Sequence, residues 1–293
     1  MCYIVNIDML SHSQNFLNNK DTVDKLLGFV DFSDADLVLE IGPGKGIITD
    51  KLIKKEKKVI AIEADQKLFD FLKKKYTVVS NIQLEKQDFL EYKLPKEPFI
   101  IVSNIPFNTT ADIVRKITDG HSQIRAAYLI VQKEAAIKFL GAPYAHSPLL
   151  SHFLKINYEI QNLMDIPKSN YTPKPRFDTS LIIIKRKENP ALDEIESVQF
   201  KDFMVYLFER RKPFIREALK SVMSNLQVKI VLSNLQITDN TEIKKIMFDD
   251  WISIFKIFSA HAPKKTKKTA LGSYQKLLVE QSHIKKIHRT RED

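Results

Sequence analysis

Asn104-Ile105-Pro106-Phe107 follows the apolar run Phe99-Ile100-Ile101-Val102, which reads as a buried strand. A strand ending in Asn, an aliphatic residue, Pro and an aromatic offers a flat, oriented polar site. The Asn104 side-chain oxygen and the Ile105 backbone carbonyl can each accept one N–H of an exocyclic amine, and Phe107 supplies a face for the attached heterocycle. Pro106 fixes the local φ and removes a competing donor. These are the needs of N-methylation of adenine, whose amine lone pair is delocalised into the ring. Accepting both N–H groups frees that lone pair for attack, and a neutral amide can stabilise the developing positive charge. Taken alone, the string is equally a strand-to-loop exit built from turn formers.

The elements that must position it lie upstream. An apolar strand, Leu37 to Ile41, runs into Gly42, Gly44 and Gly46, and a helical pattern follows. Glycines at such a turn let the backbone approach a nucleotide-like ligand, and the helix N-terminus adds a positive pole. A second strand, Lys58 to Glu63, ends in an acid suited to ribose hydroxyls. A third, near Ile82 to Leu84, leads into Gln87-Asp88-Phe89, where Asp88 can accept an adenine amine and Phe89 can pack on its ring. Each acid by itself is also a good helix cap or solvated strand end. Four successive strands with polar C-terminal ends argue for one shared crevice, as expected of a doubly wound parallel sheet.

With these residues in place, the chain resembles the ribosomal RNA adenine N6-methyltransferases, and among them the Erm enzymes of macrolide–lincosamide–streptogramin B resistance. The matching pieces are Ser13-Gln14-Asn15-Phe16-Leu17, EIGPGKG at 40–46, Glu63 in AIEAD, Asp88 in QDF, NIPF at 104–107, YLIVQKE at 128–134 and YTPKPRFDTSLI at 171–182. The resemblance implies a Rossmann-like class I methyltransferase sheet with a small C-terminal all-helical domain. It implies S-adenosylmethionine as cofactor, held by Asn15, Leu17, Gly42, Gly44, Glu63, Asp88 and Asn104. The implied substrate is one adenine of 23S ribosomal RNA, reached before ribosome assembly is complete by a monomeric, cytoplasmic enzyme. Asn104, Ile105, Pro106 and Phe107 would carry the catalysis, with Tyr171 as a second aromatic wall for a flipped base. The small-subunit ribosomal RNA dimethylases are the alternative, but they usually read N-L-P-Y where this chain reads NIPF. A non-catalytic nucleic-acid-binding relative should have lost the Gly turn or Asn104.

Composition agrees. The chain has 293 residues, 44% of them hydrophobic, and Lys+Arg exceed Asp+Glu by 46 − 36 = 10, which favours a polyanionic partner. Cys2 is the single cysteine, the seven histidines form no metal-ligand spacing, and no metal site is expected. The opening MCYIVNIDML lacks a basic n-region, and no apolar stretch is long enough to span a bilayer.

An amphipathic helix is expected from Asp21 to Val30, and closing strands near Asn157 to Ile166 and Ser180 to Lys185, forming an edge hairpin. The charged run KRKENP at 185–190 suggests a boundary, giving a catalytic domain over 1–187. A helical RNA-binding domain is expected over 188–262, with helices at Phe200–Phe208, Phe214–Met223 and Asp249–Phe258. The last stretch, 263–293, reads as a basic, flexible tail that contacts RNA phosphate or is merely solvated. Residues 261–293 hold nine Lys/Arg against three Asp/Glu, +6 of the whole +10.

Overall fold

A run of buried aliphatic residues in a parallel sheet must be covered on both faces, and Leu37–Ile41, all five residues buried, meets that condition as a central strand. The computed structural model describes residues 15–144, 146 and 148–283. In order, the described chain forms β1 (Phe16–Leu17), α1 (Lys20–Gly28), β2 (Leu37–Ile41), α2 (Thr49–Leu52), β3 (Lys58–Glu63), α3 (Gln66–Lys75), β4 (Ile82–Lys86), β5 (Phe99–Asn104), α4 (Thr110–Ile117) and β6 (Ile124–Gln132). Then come α5 (Lys133–Leu140), α6 (Leu149–Asn157), β7 (Tyr158–Ile166), β8 (Tyr171–Thr172) and β9 (Thr179–Arg186). The rest is helical: α7 (Glu194–Glu209), α8 (Ile215–Leu219), α9 (Asn225–Asn234), α10 (Phe248–His261), α11 (Lys264–Ala270) and α12 (Ser273–His283).

The seven-stranded sheet has the order β4-β3-β2-β5-β6-β9-β7. Numbered by appearance within that sheet, this is 3-2-1-4-5-7-6. The strands β4, β3, β2, β5 and β6 run parallel, and β9 is antiparallel to β6 and to β7. From β2 the chain winds outward through β3 and β4, then returns to β5 on the other side of β2. The topological switch point therefore lies between β2 and β5, where such sheets open a ligand crevice beyond their carboxyl ends. The expected edge hairpin is present with β9 on the inside, which explains its unbroken Leu-Ile-Ile-Ile run. β7, on the outer edge, mixes buried and exposed positions. A second, two-stranded sheet pairs Phe16 with Thr172 and Leu17 with Tyr171.

The described chain falls into two compact units. The first takes in residues up to Ile137 and then Tyr158–Lys187; the second takes in Lys138–Asn157 and everything from Glu188 on. The expectation of a catalytic domain running unbroken over 1–187 is therefore corrected. Ile156 of α6 is fully buried in the helical core, with Leu149 and Phe153 packed against the same cluster. That core centres on Trp251, Phe200, Phe203 and Phe255, with the Phe203 and Phe258 rings 4.8 Å apart. His152 is buried here with neither ring nitrogen partnered, beside Phe248 and Trp251.

The expected helix over Phe214–Met223 is regular only over Ile215–Leu219, and α9 was not anticipated, although Ser224 and Gln227 form a full capping box. The flexible tail is also corrected for its described part. Asp202, on α7 and 4% exposed, accepts from the Gly272 and Tyr274 backbone N–H groups at 2.9 Å each. The Tyr274 ring meets Phe153 edge-on at 5.3 Å. A buried carboxylate that satisfies two orphan donors at a helix start is a strong local clamp. The expectation for 284–293 lies outside the described residues.

Candidate active site

The Gly-rich turn between β2 and α2 is built by backbone conformation. Gly42 and Gly44 have φ of +63° and +58°, a region that L-residues with a Cβ rarely adopt. A Cβ at Gly44 would stand 2.9 Å from the Phe16 ring, so only glycine allows that ring to close over the turn. A Cβ at Gly42 would meet nothing within 4 Å, because this residue faces a cavity. Glu63, the last residue of β3, fixes the turn from the next strand. Its Oε2 accepts from Gly44 N at 3.1 Å and its Oε1 from Asp65 N at 2.9 Å. Burial raises the Glu63 pKa, and these two backbone donors oppose the shift. Each carboxylate oxygen can still accept a second hydrogen bond.

Asn104 ends β5 directly beside this turn. Its Nδ2 donates to the Asn15 carbonyl at 3.2 Å, while its Oδ1 is buried with no partner. Only nitrogen can donate to a carbonyl, so the contact with Asn15 fixes the amide orientation and leaves an acceptor unsatisfied. A buried orphan acceptor costs about 1–3 kcal/mol unless a ligand supplies the donor. Ile105 is 1% exposed and anchors the loop, and Pro106, with φ −61°, starts the turn that carries Phe107.

These pieces line one cavity of about 470 Å³. Asn15, Leu17, Gly42, Gly44, Glu63, Asp88, Asn104, Ile105, Pro106 and Phe107 all contribute to its wall. Asp88 sits in a turn where Oδ1 accepts from Leu90 N at 2.8 Å, and Phe89 beside it is buried. The Lys116 ammonium braces this turn from α4, donating to the Leu90 carbonyl at 2.7 Å and lying over the Phe89 ring.

Tyr171 is not on that wall. It is 1% exposed, its hydroxyl is 2.7 Å from Thr179 Oγ1, and it belongs to the apolar core with Leu17 and Ile166. The expectation of a second aromatic wall from Tyr171 is corrected: β8 alternates, so Tyr171 points inward and its neighbour Thr172 reaches the cavity instead. Sequence reasoning also missed Glu40. It lines the cavity yet is 2% exposed, and desolvation pushes its pKa up to about 8, with the Glu63 and Asp50 charges adding to the shift. The Thr49 hydroxyl donates to it at 2.6 Å. An acid inside an otherwise aliphatic strand was the signal available.

The cavity suits an adenosine with a charged tail. It offers a carboxylate at the end of β3, a second carboxylate at Asp88, a Gly turn open to close approach, and apolar walls from Ile41, Ile62 and Phe89. Sheet order and site together define a Rossmann-like class I methyltransferase. The family model described as ribosomal RNA adenine dimethylase matches residues 9–260, and the chain belongs to that family. The protein is an enzyme, S-adenosylmethionine is its cofactor, and ribosomal RNA is the substrate of the family. A ribosomal RNA small subunit methyltransferase A from Fusobacterium nucleatum is 31% identical over 84% of this chain and 96% of its own length. An rRNA adenine N-6-methyltransferase from Bacillus licheniformis is 28% identical over 83% of this chain and 84% of its own. The crystal structure of the 23S rRNA methyltransferase ErmE shares the fold with a TM-score of 0.78 at 23% identity, covering 84% of this chain and all of that one. Among the described residues no helix is long and apolar enough to cross a membrane, and no group of His, Cys, Asp and Glu is arranged to hold a metal.

Proposed function

We propose that the protein transfers one or two methyl groups to N6 of a single adenine in 23S ribosomal RNA, producing macrolide–lincosamide–streptogramin B resistance. The observation that carries the chemistry is the unpartnered, buried Oδ1 of Asn104 beside the Gly turn. An exocyclic amine supplies the donor this oxygen lacks, and accepting its N–H localises the nitrogen lone pair for attack. Phe107 stacks on the adenine. Glu63 holds the ribose of the cofactor, Asp88 its adenine amine, and Asn15, Leu17, Gly42 and Gly44 complete its site. The bound cofactor supplies an electrophilic methyl group; the protein's part is to orient the amine and exclude water.

The large-subunit target is supported by the NIPF tetrapeptide and by the SQNFL opening. A second reading, dimethylation of 16S ribosomal RNA during ribosome maturation, is favoured by the small-subunit relative from Fusobacterium nucleatum. Primer extension across both ribosomal RNAs, from cells with and without the protein, separates them. A stop at one adenine of 23S RNA marks dimethylation. Monomethylation, which primer extension reads through, shows instead as a one-methyl mass increase in the nuclease fragment that holds that adenine. Either, with macrolide resistance, is the expected result. A stop confined to 16S RNA replaces the proposal with the second reading.

A further inference from the structure

With Tyr171 buried, the loop that follows it offers a different aromatic surface. Phe177 is 39% exposed, and the Arg176 guanidinium lies 5.3 Å from its ring centroid. A single exposed Phe is ordinary on a protein surface. This one is distinguished by how it is held and where. The Asp178 side chain accepts from Lys168 N at 2.9 Å, and the Asp178 carbonyl accepts from Lys133 N at 3.1 Å. On the other side Pro175 is buried, and Thr172 Oγ1 accepts from Asn18 Nδ2 at 2.6 Å. The ring is therefore presented by a loop fixed at both ends. Arg176 has no ion-pair partner among the described residues, so its charge is not consumed within the fold.

Strand register places the loop at the rim of the cavity. Asn104 pairs with Ile130, and Ile130 with Leu181, so the three form one row across β5, β6 and β9. At about 4.8 Å per strand, Leu181 lies roughly 10 Å from Asn104. Because β9 is antiparallel to β6, residues before Thr179 project past the carboxyl ends of the parallel strands, toward the mouth of the crevice. At the loop's other end, Thr172 lines the cavity itself.

We infer that Phe177 and Arg176 form a stacking platform for an RNA nucleotide adjacent to the methylated adenine, Phe177 taking the base and Arg176 the phosphate. An exposed ring beside a guanidinium that makes no ion pair is a combination that binds single-stranded nucleotides: the ring has an open face for a base to stack on, and the cation tracks the backbone. A base drawn out of its stack into the cavity leaves the flanking base unstacked on one face, and the platform covers that face at the rim. This rests on the proposed methylation of ribosomal RNA.

The test uses a ribosomal RNA fragment containing the mapped adenine, with 2-aminopurine at each flanking position in turn. Wild-type protein should quench the probe on one side. Phe177→Ala should abolish that quenching and raise KM for RNA roughly 10- to 100-fold, the scale of one lost stacking contact. Its kcat, cofactor affinity and circular dichroism should stay unchanged, and Phe177→Tyr and Phe177→Trp should restore both quenching and KM. Arg176→Gln should flatten the slope of log K against log[salt] by roughly 0.7. A Phe177→Ala protein with wild-type KM and quenching overturns the platform, as does one whose kcat falls at unchanged KM. If wild-type protein methylates neither ribosomal RNA, it is the functional reading that fails, not the platform alone.

Discussion

Asn104 Nδ2 donates to the Asn15 carbonyl at 3.2 Å, joining residues 89 apart in the chain, and this bond decides which end of the amide is left facing a ligand. Asn15 thus holds the Asn104 amide in the orientation that leaves its Oδ1 without a partner. Asn104→Ala should lower kcat by about 10²- to 10³-fold, the scale for losing one preorganised stabilising group. Affinity for RNA should hardly change, since phosphate contacts dominate it. Near-normal turnover in single-turnover assays would leave Asn104 as a turn residue only.

Gly42 tests the turn. A Cβ there meets no protein atom within 4 Å, but the φ of +63° disfavours any side chain. Gly42→Val should fold, at a cost of roughly 1–2 kcal/mol for the left-handed backbone, while its side chain occupies the cavity. Isothermal titration should then detect no S-adenosylmethionine binding. Undiminished affinity in the folded variant would remove the turn from the cofactor site.

Tyr171 separates a core role from a stacking role. Its hydroxyl shares a buried hydrogen bond with Thr179, so Tyr171→Phe should cost about 1 kcal/mol in urea unfolding. Tyr171→Leu should destabilise further yet leave KM for RNA near wild type in the folded fraction. A large rise in KM with unchanged stability would return Tyr171 to the substrate site.

Two buried groups give opposed pH dependences. Burial pushes the His152 pKa from 6.5 to about 3, with the Lys155 charge adding to the shift. Below pH 6.5 the unfolded chain therefore binds a proton that the folded one refuses, and stability falls as pH drops toward 3. Glu40 is the reverse case, raised from 4.5 to about 8. Between those values the folded protein keeps a proton that the unfolded chain has released, so stability falls as pH rises. Each slope reaches at most ~1.4 kcal/mol per pH unit. His152→Leu should flatten the acid limb and Glu40→Gln the neutral one, read from urea unfolding at stepped pH.

Asp202 should control the docking of α12. Asp202→Ala removes both acceptors that clamp Gly272 and Tyr274, so amide protection over 273–283 should collapse in hydrogen exchange while β2 and β5 stay protected. Truncation after Ala262 should weaken RNA binding and reduce the salt slope by roughly 0.7–0.9 per lost phosphate contact. Unchanged RNA affinity and slope would make the extension a structural one.

Local pattern alone was enough for the interior of the sheet. The runs at Leu37–Ile41 and Lys58–Glu63 are β2 and β3 to the residue, because a strand covered on both faces is predominantly apolar; Glu40 is the one acid inside β2, and Glu63 is the polar residue that ends β3 at the crevice. The Gly turn and NIPF were legible for the same reason: their chemistry is local to a few consecutive positions. What the sequence could not decide is what depends on partners distant along the chain. The pairing of Leu17 with Tyr171 involves two-residue strands that carry no periodicity, yet it turns Tyr171 into the core and brings Thr172 to the cavity. The anchoring of α12 depends on one Asp within α7, indistinguishable in the string from a solvated acid until Gly272 and Tyr274 are seen to point their N–H groups at it. The assignment of Lys138–Asn157 to the helical unit follows from which apolar cluster Ile156 enters. Only the folded chain fixes those choices, because each is a contact free energy between segments and not a preference of either segment alone.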